Sequence, residues 1–339
     1  LDQGTYTYQA FAYDTGSYFN RTEERNITVD WNDLPEITLN DPDDNATGVS
    51  TSPTLNVTVS DADGDLMNVS LYRDHTDNFP IKQNLTQAGD DIWSVYADDD
   101  YVYAGGLDTK VQVYYKNNLS FKQNLTQAGN YIRSVYADSD YIYAGGDNHK
   151  VQVYYKNNLS FKQNLTQAGG SVISVYADDD YVYAGGLDTK VQVYYKDNLS
   201  IKQNLTEAGS NVYSVYADSD YVYAGGLDDK VQVYYKNNLS LKQNLTQAGG
   251  SVISVYADDD YIYAGGGDTK TQVYYKNNLS LKQNLTQAGN WVWSVYADDD
   301  YIYAGGGDTK TQVYYKNNLS LKQNLTQAGN YIRSVYADS

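Results

Sequence analysis

The 339 residues carry 43 acidic side chains against 24 basic ones, a net charge of −19. Such a chain lacks the basic stripe that holds the phosphates of nucleic acid, and it repels anionic lipid. It has no cysteine, so disulfide stapling is excluded, and only two histidines, His75 and His149.

Aspartate supplies nearly all of the acid, since Glu23, Glu24, Glu36 and Glu207 are the only glutamates. That bias suits a protein bathed in cations, in high salt or a calcium-containing medium, and it also suits aspartate repeated as a turn residue. The chain has no initiator Met, no signal peptide and no apolar run long enough to span a bilayer, and it stops inside a repeat. It reads as an internal piece of a longer protein.

Residues 1–33 read as the last hairpin of a truncated Ig-like domain, with GTYTYQAFAYD and RNITVDW as alternating strands around a polar loop. Residues 34–76 start afresh at Leu34-Pro35, and PEITLNDPDDNATGVSTSPTLNVTVSDADGDLMNVSLY holds three short strands between Asp, Asn, Gly and Pro turns. With Pro35, the PDDNATGVSTSPTL turn region and the strand pair flanking SDADGD, this stretch resembles the Ig-like and cadherin-like modules of prokaryotic surface proteins. It spans about half of a typical sandwich of roughly 100 residues. The resemblance implies a surface stalk. Asp61, Asp63 and Asp65 alternate around Gly64, giving oxygen ligands a spacing that calcium accepts, and the same residues also make a polar turn.

From 77 to 339 the chain is a repeat array. Seven copies of one 40-residue unit begin at Ile81, Phe121, Phe161, Ile201, Leu241, Leu281 and Leu321, each opening with a variant of xKQNLTQAG and none carrying an indel. Units this regular bury their apolar faces only by stacking on one another. Each reads as four short strands rich in Val, Ile, Tyr and Leu, and the Gly105-Gly106 pair, recurring in every complete copy, breaks any helix. Four antiparallel strands per unit predict an all-β propeller.

The run SVYADSDYVYAGGLDDKVQVYY resembles WD-repeat and YVTN-type propellers in its order of strand, Asp turn, small-residue strand end, Asp turn and third strand. Neither the Gly-His nor the Trp-Asp pair of true WD repeats occurs, so no partner carries over from that family. Labelled A to D from the channel outward, the strands fall at 94–97, 101–105, 111–115 and 121–126. The array then holds an extra D strand at 81–86, six complete blades, and a lone A strand at 334–337. A seven-bladed ring follows if one more half-repeat completes it, and eight blades stay open.

Comparison among the copies separates framework from candidate site. Variation gathers in the D-to-A connection and early strand A, where Asp90-Asp91-Ile92-Trp93 becomes Asn130-Tyr131-Ile132-Arg133, Gly170-Ser171-Val172-Ile173, Ser210-Asn211-Val212-Tyr213 or Asn290-Trp291-Val292-Trp293, and in the B-to-C turn at Leu107, Asp147, Leu227, Gly267 and His149. Both regions belong on one face of the disc. Trp93, Arg133, Tyr213, Trp293 and Arg333 would ring the channel mouth there, with Tyr131, Trp291, Tyr331 and His149 nearby. Trp, Tyr and Arg dominate binding hot spots, and aromatic faces stack on sugars; variation also accumulates in loops by drift.

The opposite face carries the Asp98-Asp99-Asp100 turns, which read as tight turns or as a carboxylate ring for cations. N-glycosylation patterns recur on the outer rim at Asn84, Asn118, Asn124, Asn158, Asn164, Asn198, Asn204, Asn238, Asn244, Asn278, Asn284 and Asn318. The array offers no asymmetric cluster of acid, base and nucleophile, so no enzyme activity is expected. The expected role is an exported surface or matrix protein of a prokaryote, with an archaeon of salty water fitting the composition. The propeller would bind glycans or a neighbouring surface protein, need no cofactor, with calcium as the one candidate ion, and gain avidity from repeated sites. The alternatives are a surface-coat or spacer protein and an extracytoplasmic propeller subunit of an enzyme or sensor.

Overall fold

Turn breakers and the Gly-Gly pair cut each copy into four strands, and a computed structural model gives their arrangement. It describes residues 4–8, 11–13, 19–21, 25–29, 36–41, 56–60, 85, 89–126, 129–166, 168–206, 208–246, 248–326 and 331–337. The chain divides into two units, Leu1–Pro80 and Ile81–Ser339.

In the first unit, β1 (Gly4–Tyr8), β2 (Phe11–Tyr13), β3 (Phe19–Arg21), β4 (Arg25–Val29), β5 (Glu36–Asp41) and β6 (Asn56–Ser60) pair antiparallel as β1 with β4, β2 with β3 and β5 with β6. The stretch read as one strand, GTYTYQAFAYD, is therefore two, and part of the expected polar loop returns to pair with the second. The third strand expected before residue 76 and the calcium candidates Asp61, Asp63 and Asp65 lie outside the described residues.

The second unit is an all-β propeller of six four-stranded blades. The first blade is β7 (Ile92–Ala97), β8 (Tyr101–Gly106), β9 (Val111–Tyr115) and β10 (Phe121–Leu125), hydrogen-bonded in that order, and five further copies repeat it. Its two middle strands, β8 and β9, are largely buried on both faces because neighbouring chain covers them on either side. Tyr103, Val111, Val113 and Leu125 of the first blade pack against Ile132, Val135, Ala137, Ile142, Tyr154 and Leu159 of the second, and equivalent sets recur at the later junctions, with Thr271 in the place of Val111 at the last. Gly105 makes the fit possible, since a Cβ there would lie 2.4 Å from Cγ2 of Ile132 in the next blade.

The innermost strands are tied in a closed circle. Val135 N donates to Ser94 Oγ at 3.0 Å, and the same bond links Val175 to Ser134, Val215 to Ser174, Val255 to Ser214, Val295 to Ser254 and Val335 to Ser294. Val95 N closes the circle by donating to Ser334 Oγ at 3.2 Å. Segment 331–337 thus sits between the sixth and first blades. It takes the place expected of the lone inner strand at 334–337, without ladder pairing of its own. Consistently, β7 is only half-buried along its whole length, whereas Ile132, Val135 and Ala137 of the next inner strand are buried.

A second circle lines the channel. Tyr96, Tyr136, Tyr176, Tyr216, Tyr256, Tyr296 and Tyr336 stand with ring centroids 4.5 to 5.0 Å apart, closing from Tyr336 back to Tyr96. Burial raises the phenol pKa of Tyr96, Tyr136, Tyr176, Tyr216, Tyr256 and Tyr336.

Candidate functional site

Position 93 and its equivalents owe their direction to a β-bulge. Ile92 faces Gly106 and Ser94 faces Gly105, so Trp93 is the extra residue on β7, and the same register shift occurs in the other five blades. A bulge re-aims the side chain it carries. The second glycine of the pair is what the bulge requires: a Cβ on Gly106 would stand 1.9 Å from Asp91 O, and one on Gly226 2.2 Å from Asn211 O. The B-to-C turn is held on the same face by backbone bonds such as Leu107 N to Asp91 O and Leu227 N to Asn211 O.

The bulged residues converge on a cavity of about 440 Å³ at the channel mouth. Trp93, Arg133, Ile173, Tyr213, Ile253, Trp293 and Arg333 all line it, joined by Leu227, Ser251 and Trp291. In ring order the mouth is polarised: Trp293, Arg333, Trp93 and Arg133 form one arc, and Ile173, Tyr213 and Ile253 the other. Along the first arc cations alternate with indoles. Arg333 Cζ lies 4.4 Å from the Trp293 ring centre and 5.9 Å from that of Trp93, and Arg133 Cζ lies 3.9 Å from Trp93 on that arc.

Arg133 is also a forked partner of Asp147, donating from Nε at 2.8 Å and Nη2 at 2.7 Å. Those bonds hold the Asp147 carboxyl below its ordinary pKa. The second copy also differs at the next position. In the third copy Gln192 donates to Asp188 at 2.5 Å, whereas the second has Asn148 at that position and leaves the Gln152 amide atoms buried with no partner. A buried amide so orphaned costs about 1–3 kcal/mol.

The other candidates fall outside the cavity lining. Tyr131 and Tyr331 set their edges against Trp93 and Trp293, at centroid distances of 5.9 and 5.2 Å. His149 sits in the B-to-C turn at φ 61°, a left-handed conformation that His, Asn and Asp tolerate best. The same left-handed position holds Thr109, Thr189, Thr269, Thr309 or Asp229 in the other copies, so the turn does not select His. Ser251 also lines the cavity, and nothing in its residue type signals that placement.

The aspartates of the opposite face are turn and blade-junction residues. Asp98 Oδ1 accepts from Asp100 N and Tyr101 N, both at 2.8 Å, while Oδ2 accepts from Tyr103 Oη at 2.7 Å and pairs with Lys156 Nζ of the next blade at 3.1 Å. Lys196, Lys236, Lys276 and Lys316 make the same inter-blade pair with Asp138, Asp178, Asp218 and Asp258. Among the described residues no group of three or more potential ligands could hold a metal ion.

Of the rim asparagines, Asn118, Asn158, Asn198, Asn238, Asn278 and Asn318 are exposed in C-to-D turns, each Oδ1 accepting the backbone N–H two residues on. Asn124, Asn164, Asn204, Asn244 and Asn284 lie in the outermost strands, where Oδ1 of Asn124, Asn244 and Asn284 is buried without a partner. Asn84 lies outside the described residues.

No protein-family model and no curated protein matches the chain. Among solved structures, the crystal structure of the WD40 β-propeller domain of Doa1 is similar with a TM-score of 0.66 at 20% identity, over 73% of this chain and 86% of that one. The second unit therefore has the WD40-like propeller fold.

Proposed function

We propose that the chain is a non-enzymatic binding scaffold of the cell exterior, in which Ig-like and cadherin-like modules form a stalk and the propeller forms a head that recognises glycans or a neighbouring surface protein. The head is read as a seven-position ring, with segment 331–337 as the inner strand of a seventh blade. One observation carries the reading: the positions that differ most between otherwise near-identical copies meet around a single cavity of about 440 Å³, within the size range of small-ligand sites. Drift has no reason to place Trp, Tyr and Arg at the bulged position that faces the axis.

Convergence on the axis favours one ligand per ring over the avidity of many weak rim sites. The test is a glycan and cell-envelope binding screen with calcium present. Its control carries the Gly170–Ile173 sequence in every variable quartet, a replacement the fold accepts because the third and fifth copies both have that sequence. Binding lost in the control supports the reading. Equal binding by both, or none by either, supports a coat or spacer role.

A further inference from the structure

We infer that the polarised mouth binds one acidic sugar residue, a hexuronic acid at the end of an otherwise neutral glycan, with its carboxylate on the Trp–Arg arc and its C–H face on the Ile–Tyr arc. The inference rests on the glycan reading above and names the ligand class. A guanidinium stacked on indole spends only its flat faces, leaving its N–H edges for a carboxylate, which it meets with two parallel bonds. Arg333 is such a group: it lines the cavity, stacks on Trp293, and has no carboxylate partner among the described residues. Arg133 differs, because Asp147 already occupies its Nε and Nη2. The positive charge of the mouth is thus concentrated at Arg333.

Across the cavity, Ile173, Tyr213, Ile253 and Leu227 offer apolar surface and one aromatic ring, which suits the C–H face of a pyranose. The net charge of −19 sets a limit on the ligand. A polyuronate would run over acidic surface and be repelled, whereas a single carboxylate at the axis feels the nearby guanidinium most, since charges beyond about 8 Å are screened at physiological salt. A terminal acidic residue satisfies both conditions.

Three of the four tryptophans, Trp93, Trp291 and Trp293, line the cavity, so intrinsic fluorescence reports its occupancy. The full chain is titrated with glucuronosyl-β-1,4-glucose, with cellobiose as its neutral counterpart and with an acidic tripeptide. The expected result is binding of the uronic disaccharide about tenfold or more tighter than cellobiose, a margin lost in Arg333→Gln and largely kept in Arg133→Gln. A thermal scan confirms that both variants fold. Equal binding of the two disaccharides overturns the acidic-sugar inference and leaves the glycan reading standing. Binding of the peptide alone, or of no probe, overturns both.

Discussion

Raising the pH past that of a free phenol should unfold the propeller in one cooperative step. Tyr103, Tyr143, Tyr183, Tyr223 and Tyr263 are fully buried. Burial raises each phenol far above its ordinary value of 10, and the carboxylate of Asp98, Asp138, Asp178, Asp218 or Asp258 that each hydroxyl bonds raises it further. Because the folded values are raised, this contribution is intact below pH 10 and is lost as the pH climbs, since only the unfolded chain releases the protons. Each group then loses about 1.4 kcal/mol by pH 11 and about 2.7 kcal/mol by pH 12, so the five together lose about 7 and about 14 kcal/mol. A domain's whole stability is about 5–15 kcal/mol. Unfolding is therefore due by about pH 12, and the channel tyrosines, raised in the same sense, pull the midpoint towards pH 11. Far-ultraviolet circular dichroism should be lost in one step, and a step in phenolate absorbance from the buried tyrosines should coincide with it. A gradual phenolate rise with the β signal intact through about pH 12 would refute the reasoning.

The two faces of the acidic turns should behave differently under mutation. Asp178→Ala removes the acceptor of Asp180 N, Tyr181 N and Tyr183 Oη and the partner of Lys236, and should cost about 3–5 kcal/mol in urea unfolding. Its exposed neighbour should be silent, with Asp179→Ala staying within about 0.5 kcal/mol. Gly226→Ala puts a Cβ 2.2 Å from Asn211 O, so it should cost about 3 kcal/mol or more and shift the fluorescence of the mouth, because the bulge that aims Tyr213 cannot keep its shape.

The blades were legible because the unit repeats its breakers in register: Asp98 to Asp100 and the Gly105-Gly106 pair divide strands wherever they occur, and the structure keeps the breaks. The convergence of the candidate residues was legible for the opposite reason. Trp93, Arg133, Tyr213 and Trp293 stand out as differences between copies, and they do meet at the mouth. Constant features escape such a comparison. The tyrosine circle at Tyr96 and its equivalents is invariant, and among 39 tyrosines nothing marks it as lining the channel. The bulge also left no trace, because two residues facing one is a property of strand pairing rather than of composition. Nothing in the sequence pairs Lys156 with Asp98, because only the stacking of blades brings them together.

The serine circle has a bearing on how the chain assembles. Six of its bonds join residues 41 apart, while the closing bond from Val95 to Ser334 spans 239. Closing the longer loop costs only about 1.5 kcal/mol more than closing a short one. Nearly identical junctions give a blade no means of telling its proper neighbour from another copy, in its own chain or in a second molecule. At high concentration, closure within one chain must outrun exchange of blades between chains. Low concentration, or folding of each blade as it leaves the ribosome, favours the ring; concentrated refolding favours interlocked chains.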